Sequence, residues 1–401
     1  MPIMNMISEP PRPSLERLIQ TQAQDLADQL AKHRFASFPP ASAKSFRRLH
    51  PTETMRFLGI TESYLRTTAA ELQGPADERR RTYTLNDLAA LRAAMAARSR
   101  NPHKFLPVRR TGEHVQCISV VNFKGGSAKT TTAANLTQYL ALCGYRTLAI
   151  DLDPQGSLTT LFGIAPEVSV AANETLYGMI RFDDSRVGAR EVVRKTYIPN
   201  LDLIPAALEL MEFEHEAPRA LMNRGRGDSL ALHRVAEGLA DIEPDYDVIV
   251  IDCPPQLGYL TLSALIASTS VLITIHPQML DVASMAQFLA MLGDLLATVA
   301  QAAGRSNVSY DWLRYLITRF EPGDGPQNQM AAFLRLIFGD YILKAPTLKS
   351  TAISDASITS QTIYEVERSQ FTKATYDRAL ESVNAVNAEI LGLITAAWGR
   401  E

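Results

Sequence analysis

Val120-Val121-Asn122-Phe123-Lys124-Gly125-Gly126-Ser127-Ala128-Lys129-Thr130-Thr131-Thr132 is the stretch on which the reading of the fold turns. An apolar run, Val115 to Val121, leads into it, and a helical pattern through Thr132-Ala-Ala-Asn-Leu-Thr-Gln-Tyr-Leu-Ala-Leu-Cys143 leads out. The order is strand, glycine turn, helix N-terminus. A phosphate seated there meets unpaired backbone N–H groups and the positive end of the helix dipole, and the glycines let the backbone close around it. Lys129 is placed to neutralise the β- and γ-phosphates and the Thr130 hydroxyl to bind Mg²⁺. Lys124, Gly125, Gly126, Ser127, Ala128, Lys129, Thr130 and Thr131 together form the expected nucleotide cradle.

The ordinary phosphate-loop pattern G-x-x-x-x-G-K-[ST] is not met, because Phe123 and Ala128 occupy its two glycine places. The stretch fits a variant, K-G-G-x-x-K-T, in which an extra lysine, Lys124, precedes the glycine pair. Its partners lie downstream. Thr147-Leu-Ala-Ile-Asp151 reads as a buried strand running into Leu152-Asp153-Pro154-Gln155-Gly156. A carboxylate at a strand's carboxyl end lies on the edge where parallel sheets bind ligands. Asp153 is the candidate to orient an attacking water, and Asp151 fits a supporting place near Mg²⁺ and the loop. Asp245-Tyr-Asp-Val-Ile-Val-Ile-Asp252 ends a run of β-branched residues on Asp252, the candidate acid for a hydrated Mg²⁺.

Further strands are expected at 201–204, 271–275 and 312–318, with helices at 283–303 and 372–393. Alternation of this kind predicts a mainly parallel sheet covered by helices on both faces, an α/β nucleotide-binding domain over 113–401. The segments 165–194 and 321–326 read as insertions. Loops after Thr318 and around Lys344-Ala-Pro-Thr347 are candidates for contacts to the base.

At 401 residues the chain is long for one domain. A 46% apolar and 21% charged composition is that of a globular protein with a sizeable core. The start, Met1-Pro-Ile-Met-Asn-Met, lacks the regions of a signal peptide, and no uninterrupted apolar run reaches the ~18 residues of a membrane span. A cytosolic protein without membrane contact is expected. Cys117, Cys143 and Cys253 are odd in number and on apolar elements, which suits reduced core thiols.

The net charge of −3 hides an asymmetry: residues 1–112 carry 18 Lys and Arg against 10 Asp and Glu. A basic third attached to an acidic body points to a polyanionic partner. Leu15, Leu18, Ile19, Leu26 and Leu30 recur at helical spacing, which predicts a helix in 1–37 whose stripe docks on its own domain or, as the preferred reading, pairs with a second chain. In 38–112, residues 52–58 and 61–72 flank Gly59, a helix-turn-helix pattern, and Thr84 caps a third helix. This order resembles the winged helix of MerR-type regulators. The resemblance places Ser63, Tyr64, Arg66 and Thr67 in the major groove of DNA and sets Arg79, Arg80 and Arg81 as a phosphate- or minor-groove-contacting wing. Residues 98–112 read as a linker.

Lys124-Gly-Gly-Ser-Ala-Lys-Thr-Thr, Asp151-Leu-Asp-Pro-Gln and Ile251-Asp-Cys-Pro-Pro together resemble the ParA family of partition ATPases, over about 115–395. With the added N-terminal parts, the chain is similar to the long, operator-binding members, among them the RepA partition proteins of repABC plasmids. The resemblance implies ATP and Mg²⁺ held between two subunits, with Lys124 of each reaching the other's phosphates in catalysis together with Lys129 and Asp153. It also implies a ParB-type partner, autorepression through the N-terminal domain, association with the nucleoid, and non-specific DNA binding by the ATP dimer, for which Lys344, Lys349, Arg368 and Lys373 are the candidates. Ala128 departs from the glycine most members carry. A regulator without partition activity is the competing class. A MinD-like membrane ATPase needs a basic amphipathic C-terminal helix, whereas Asn384 to Glu401 holds only Arg400 as a cation. A nitrogenase-iron-protein-like carrier needs cluster-binding cysteine pairs.

Overall fold

The computed structural model describes residues 14–37, 44–73, 82–222, 231–302 and 309–400. The chain divides into two compact units, Met1–Lys44 and Ser45–Glu401. In the first, helix α1 (Leu15–Ser37) runs further than the expected stripe and leaves Leu15, Leu18, Ile19 and Leu26 exposed.

The second unit is built on seven strands: β1 (Gln116–Val121), β2 (Thr147–Asp151), β3 (Arg194–Lys195), β4 (Leu201–Ile204), β5 (Val248–Asp252), β6 (Ser270–Ile275) and β7 (Trp312–Ile317). Their order is β3-β4-β2-β5-β1-β6-β7. Every pairing is parallel except β3 with β4, a two-residue antiparallel edge that begins where the segment read in sequence as an insertion ends. β1, β2, β5 and β6 are buried along their whole length, as strands covered on both faces must be.

Strand side chains alternate between faces. Ile118 and Val120 of β1 join a core with Leu136 and Leu140 and with Val386 and Ile390 of the C-terminal helix Lys373–Ala397. Cys117 and Val121 point the other way, into a core with Leu260, Phe288 and Leu334 from three helices. The expected two-faced α/β sheet is what the chain forms. One of those helices, Met279–Ala302, contains the one stretch among the described residues, Met279–Thr298, that is long and apolar enough to cross a membrane; its Met285, Phe288 and Leu292 are buried against the sheet.

Residues 321–326, read in sequence as an insertion, run through a turn into the start of a helix. Asp324 caps Gly325–Phe338 by accepting from the Gln327 N–H at 3.1 Å, with Pro326 in the first turn, where its missing N–H costs nothing.

The helices α2 (Pro51–Leu58), α3 (Glu62–Gln73) and α4 (Leu85–Arg98) form where the turn and cap residues put them. Gly59 ends α2 at φ 63°, a left-handed position that favours glycine, and Thr84 with Asp87 makes a capping box for α4. Leu49 and Tyr83 pair as a short antiparallel bridge between them. Arg79, Arg80 and Arg81 lie outside the described residues.

This module shares a core with the body. Phe57, Leu65, Leu91 and Met95 pack with Tyr139, Leu142 and Tyr364. The connecting segment is pinned: Arg109 N–H donates to Asp247 at 2.8 Å, and the Arg400 guanidinium donates to the Pro107 and Val108 carbonyls at 3.0 and 2.9 Å.

Candidate nucleotide site

The phosphate loop joins β1 to α5 (Lys129–Cys143), at the sheet edge where the carboxyl ends of β2, β5, β6 and β7 also arrive. Gly126 has φ 76°, and Ala128, directly before the helix, has φ 66° and ψ 26°. Ala128 therefore holds a left-handed conformation that its Cβ resists, a strain of the order of 1–2 kcal/mol.

Neighbouring strand ends tie the loop down. Asn122 Oδ1 accepts from the Lys124 N–H at 2.8 Å, Thr274 donates to the Ser127 hydroxyl at 3.1 Å, and Thr318 donates to the Ser127 carbonyl at 3.0 Å. The Arg319 guanidinium donates to the Gly126 carbonyl at 3.0 Å, from a backbone that is itself left-handed at φ 53°. Strain of this kind persists where surrounding contacts enforce it, and it gathers at functional sites.

Lys129 is buried and donates to the Lys124 carbonyl at 3.3 Å, so its ammonium lies within the loop's concavity. Burial pulls its pKa down, with Asp252, Cys253 and Asp153 nearby working against that.

Asp252 and Asp151 are direct register partners on β5 and β2, and neither has exposed surface. The two differ in how they are satisfied. Asp151 accepts from the Thr159 N–H and hydroxyl, both at 2.7 Å, and from the Asp153 N–H at 3.2 Å, so its carboxylate anchors the turn that carries Asp153. Among the described residues Asp252 has no hydrogen-bond partner on either oxygen, although the Thr130 hydroxyl and Lys129 lie close enough to favour its charge. Burial, and then the charge of Asp151, pushes the Asp252 pKa well above the carboxylate range, and burial pushes Asp151 up to about 7. An orphaned buried carboxylate beside a threonine hydroxyl is suited to a hydrated divalent cation. Among the described residues no cluster of three His, Cys, Asp or Glu forms a metal cage.

Lys124 is half exposed and forms an ion pair with Asp281, at the start of helix Met279–Ala302. Asp281 is buried and also faces His276 Nδ1 at 3.2 Å. Asp153 accepts from the Gln155 N–H at 3.0 Å, within the same turn.

Beside the loop opens a cavity of about 370 Å³, lined by Gly126, Ala128, Thr131 and Thr132, by Arg319, Thr347 and Leu348, and by the helix Lys373–Ala397.

Residues 115–302 match the family described as "AAA domain". A Rhizobium rhizogenes protein bearing the name replication protein A is 56% identical over 390 residues, covering 96% of each chain. The chromosome partitioning protein ParA of Caulobacter vibrioides is 30% identical over 242 residues, 60% of this chain and 84% of the relative. The chain belongs to the ParA family of P-loop ATPases. A solved structure titled "Partition Protein" shares the fold at TM-score 0.61 and 16% identity, covering 94% of this chain and 98% of that one.

In this ParA-family chain the eight cradle residues and Asp151, Asp153 and Asp252 gather at one sheet edge. The DNA candidates do not form one group. Ser63, Tyr64, Arg66 and Thr67 are exposed on α3, opposite buried Leu65 and Ala69, with Tyr64 edge-on to Phe105 at 6.2 Å. Lys344, Lys349, Arg368 and Lys373 are exposed, but Lys349 pairs with Glu321 at 2.8 Å and Arg368 with Asp377 at 2.6 Å. Sequence reasoning missed Asp281, His276 and Arg319.

It also missed Arg92. Buried among Leu88, Leu91 and Met95, its guanidinium donates to the carbonyls of Phe57, Phe105 and Leu142 at 3.0, 3.1 and 2.8 Å. Leu142 is in the last turn of α5, whose first turn holds the loop, and a Cβ on Gly144 would stand 2.8 Å from Arg92 Nε. One helix thus carries the phosphate loop at one end and the α2–α4 module at the other.

Proposed function

We propose that this chain is a partition ATPase of the long, operator-binding type, acting in the cytosol and on the nucleoid. ATP binds with its phosphates on Gly125 to Thr131 and with Mg²⁺ beside Thr130 and Asp252, Asp151 supporting. The observation that carries this reading is the orphaned Asp252 carboxylate facing a buried loop lysine, Lys129, across the carboxyl edge of the sheet. Bound Mg²⁺ would neutralise charge on the β- and γ-phosphates and on Asp252.

Asp153 accepts a hydrogen bond from the attacking water and aligns it, while Lys129 stabilises charge on the phosphate oxygens. Lys124 serves the second subunit of a homodimer. Its exposure suits a reach across an interface, and before it can reach it must leave Asp281. A cation supplied across an interface ties pairing to the γ-phosphate, and such charges are worth about 10³ to 10⁵ in rate.

The paired form holds DNA without sequence preference and meets a ParB-type centromere-binding protein. The exposed face of α3 reads an operator through Ser63, Tyr64, Arg66 and Thr67, with the basic 79–81 segment adding phosphate contacts, so the chain represses its own operon. Support comes from the basic balance of residues 1–112 and from the outward placement of that face.

Sedimentation with and without ATP, followed by turnover assays with DNA and a ParB-type protein, tests the reading. ATP-dependent pairing and turnover raised by both additions are expected. Pairing without any stimulation would leave a nucleotide-modulated repressor, and absence of ATP-dependent pairing would overturn the proposal.

A further inference from the structure

We propose that Asn387 selects adenine, by accepting a hydrogen bond from the 6-amino group of the base. The inference rests on the nucleotide reading of the loop and adds to it the group that tells one base from another.

The cavity is lined by the phosphate loop and the first turns of α5 and, from other elements, by Ile353, Val383, Val386 and Asn387. Its volume of about 370 Å³ lies at the small end of ligand sites. Isoleucine and valine side chains suit the faces of a flat ring, and orientation then falls to the few polar groups among them.

Asn387 is 2% exposed, and both hydrogens of its amide nitrogen are committed: one to the Asn135 carbonyl at 3.2 Å, the other to the Tyr364 hydroxyl at 3.1 Å. The Tyr364 hydroxyl spends its own hydrogen on Asn384 Oδ1 at 2.9 Å, so towards Asn387 it can only accept. This chain of bonds fixes which way the amide faces. The Asn387 side-chain oxygen is left as an acceptor bonded to no described residue, on a side chain that lines the cavity.

Asn135 also lines the cavity and offers a second oxygen without a described partner, but that atom has almost no exposed surface and its amide nitrogen is tied to the Thr131 carbonyl at 2.7 Å, which makes Asn387 the more accessible acceptor.

A cavity lined by a fixed acceptor selects for a donor. Adenine presents an amino group at C6, whereas guanine and hypoxanthine present a carbonyl oxygen there, which would face Asn387 acceptor to acceptor. A ligand that lacks the donor leaves the buried oxygen without a partner, and discrimination by a missing hydrogen bond is accordingly strong.

The test uses the full-length chain with Mg²⁺ and a ribose-labelled fluorescent ATP, displaced by ATP, GTP or purine riboside triphosphate, which carries hydrogen at C6. Wild type is expected to hold both competitors about 10- to 100-fold more weakly than ATP. In Asn387→Ala, ATP and purine riboside triphosphate should bind within about twofold of each other, since the loop contacts are common to both. Equal binding of these two by wild type, or full discrimination kept by the variant, would overturn the assignment while leaving the loop reading intact. If wild type takes up no nucleotide at all, the loop reading falls and this inference with it. Should Asn387→Ala fail to fold, the wild-type comparison decides alone, because it alters only the ligand.

Discussion

Raising the pH on the nucleotide-free protein should unfold it more easily, because of the carboxylates at the ends of β2 and β5. Asp151 is fully buried, and that burial lifts its pKa from an ordinary 3.8 to about 7. Between those values the folded chain keeps a proton that the unfolded chain has already released, so stability falls as pH rises through the window. Each pH unit is worth about 1.4 kcal/mol, which puts roughly 4 kcal/mol at stake, of which about 3 kcal/mol is lost between pH 5 and 8.

Two groups work against that fall: His276 at the acid end and, towards the alkaline end, Lys129, whose pKa burial pulls down. Glu53 with Arg47 and Glu113 with Arg400 are held below the usual carboxylate range, so they are ionised above pH 5 and add no slope. His276, held below 6.5 by burial, works in the opposite sense and only at the acid end, and a His276→Gln background removes it. Urea unfolding at fixed temperature, from pH 5 to 8, measures the slope. Asp252→Asn should make the nucleotide-free protein more stable than wild type at pH 8, since it relieves an uncompensated buried acid, and should lose ATP-Mg²⁺ binding. Stability that stays level or climbs towards pH 8 in a His276→Gln, Lys129→Met background, where neither opposing group is left, would refute the claim that the strand-end acids are a standing cost of the empty site.

Lys124→Ala should keep ATP binding by single chains within about threefold yet abolish ATP-dependent pairing and lower turnover by about 10³-fold or more, read by sedimentation and phosphate release. Asp153→Ala should still bind ATP while hydrolysis falls by about 10²- to 10⁴-fold, and unchanged turnover would remove it from the chemistry. Arg92→Met leaves three buried carbonyls without their donor, so a loss of roughly 3 kcal/mol in urea unfolding is expected, with α2–α4 opening at lower denaturant than the sheet. Coincident unfolding of both parts at wild-type stability would argue against the clamp.

What was legible in the sequence follows from how local each signal is. The strand runs ending on Asp151 and Asp252 stand next to their own chemistry, and the glycine pair with Lys129 and Thr130 carries its geometry within a few residues, so site and sheet were both readable. Ala128 was readable as a departure, and its φ of 66° shows that the backbone keeps the glycine conformation although the side chain opposes it. The helix start at Asp324-Gly-Pro326 was passed over although it follows the ordinary capping rule.

Asp281, Arg92 and Asn387 were not readable in that way, because each acquires its meaning from a residue distant in the chain. Arg92 between apolar neighbours looks like a solvated charge on a helix until three helix-end carbonyls converge on it. Asn387 gave a faint signal, an amide in the stripe Val383, Val386 and Ile390, where an apolar residue would pack without needing partners. Keeping a polar group at such a position is costly unless something satisfies it. Among the described residues its nitrogen finds partners and its oxygen does not, and that asymmetry is an argument for a ligand.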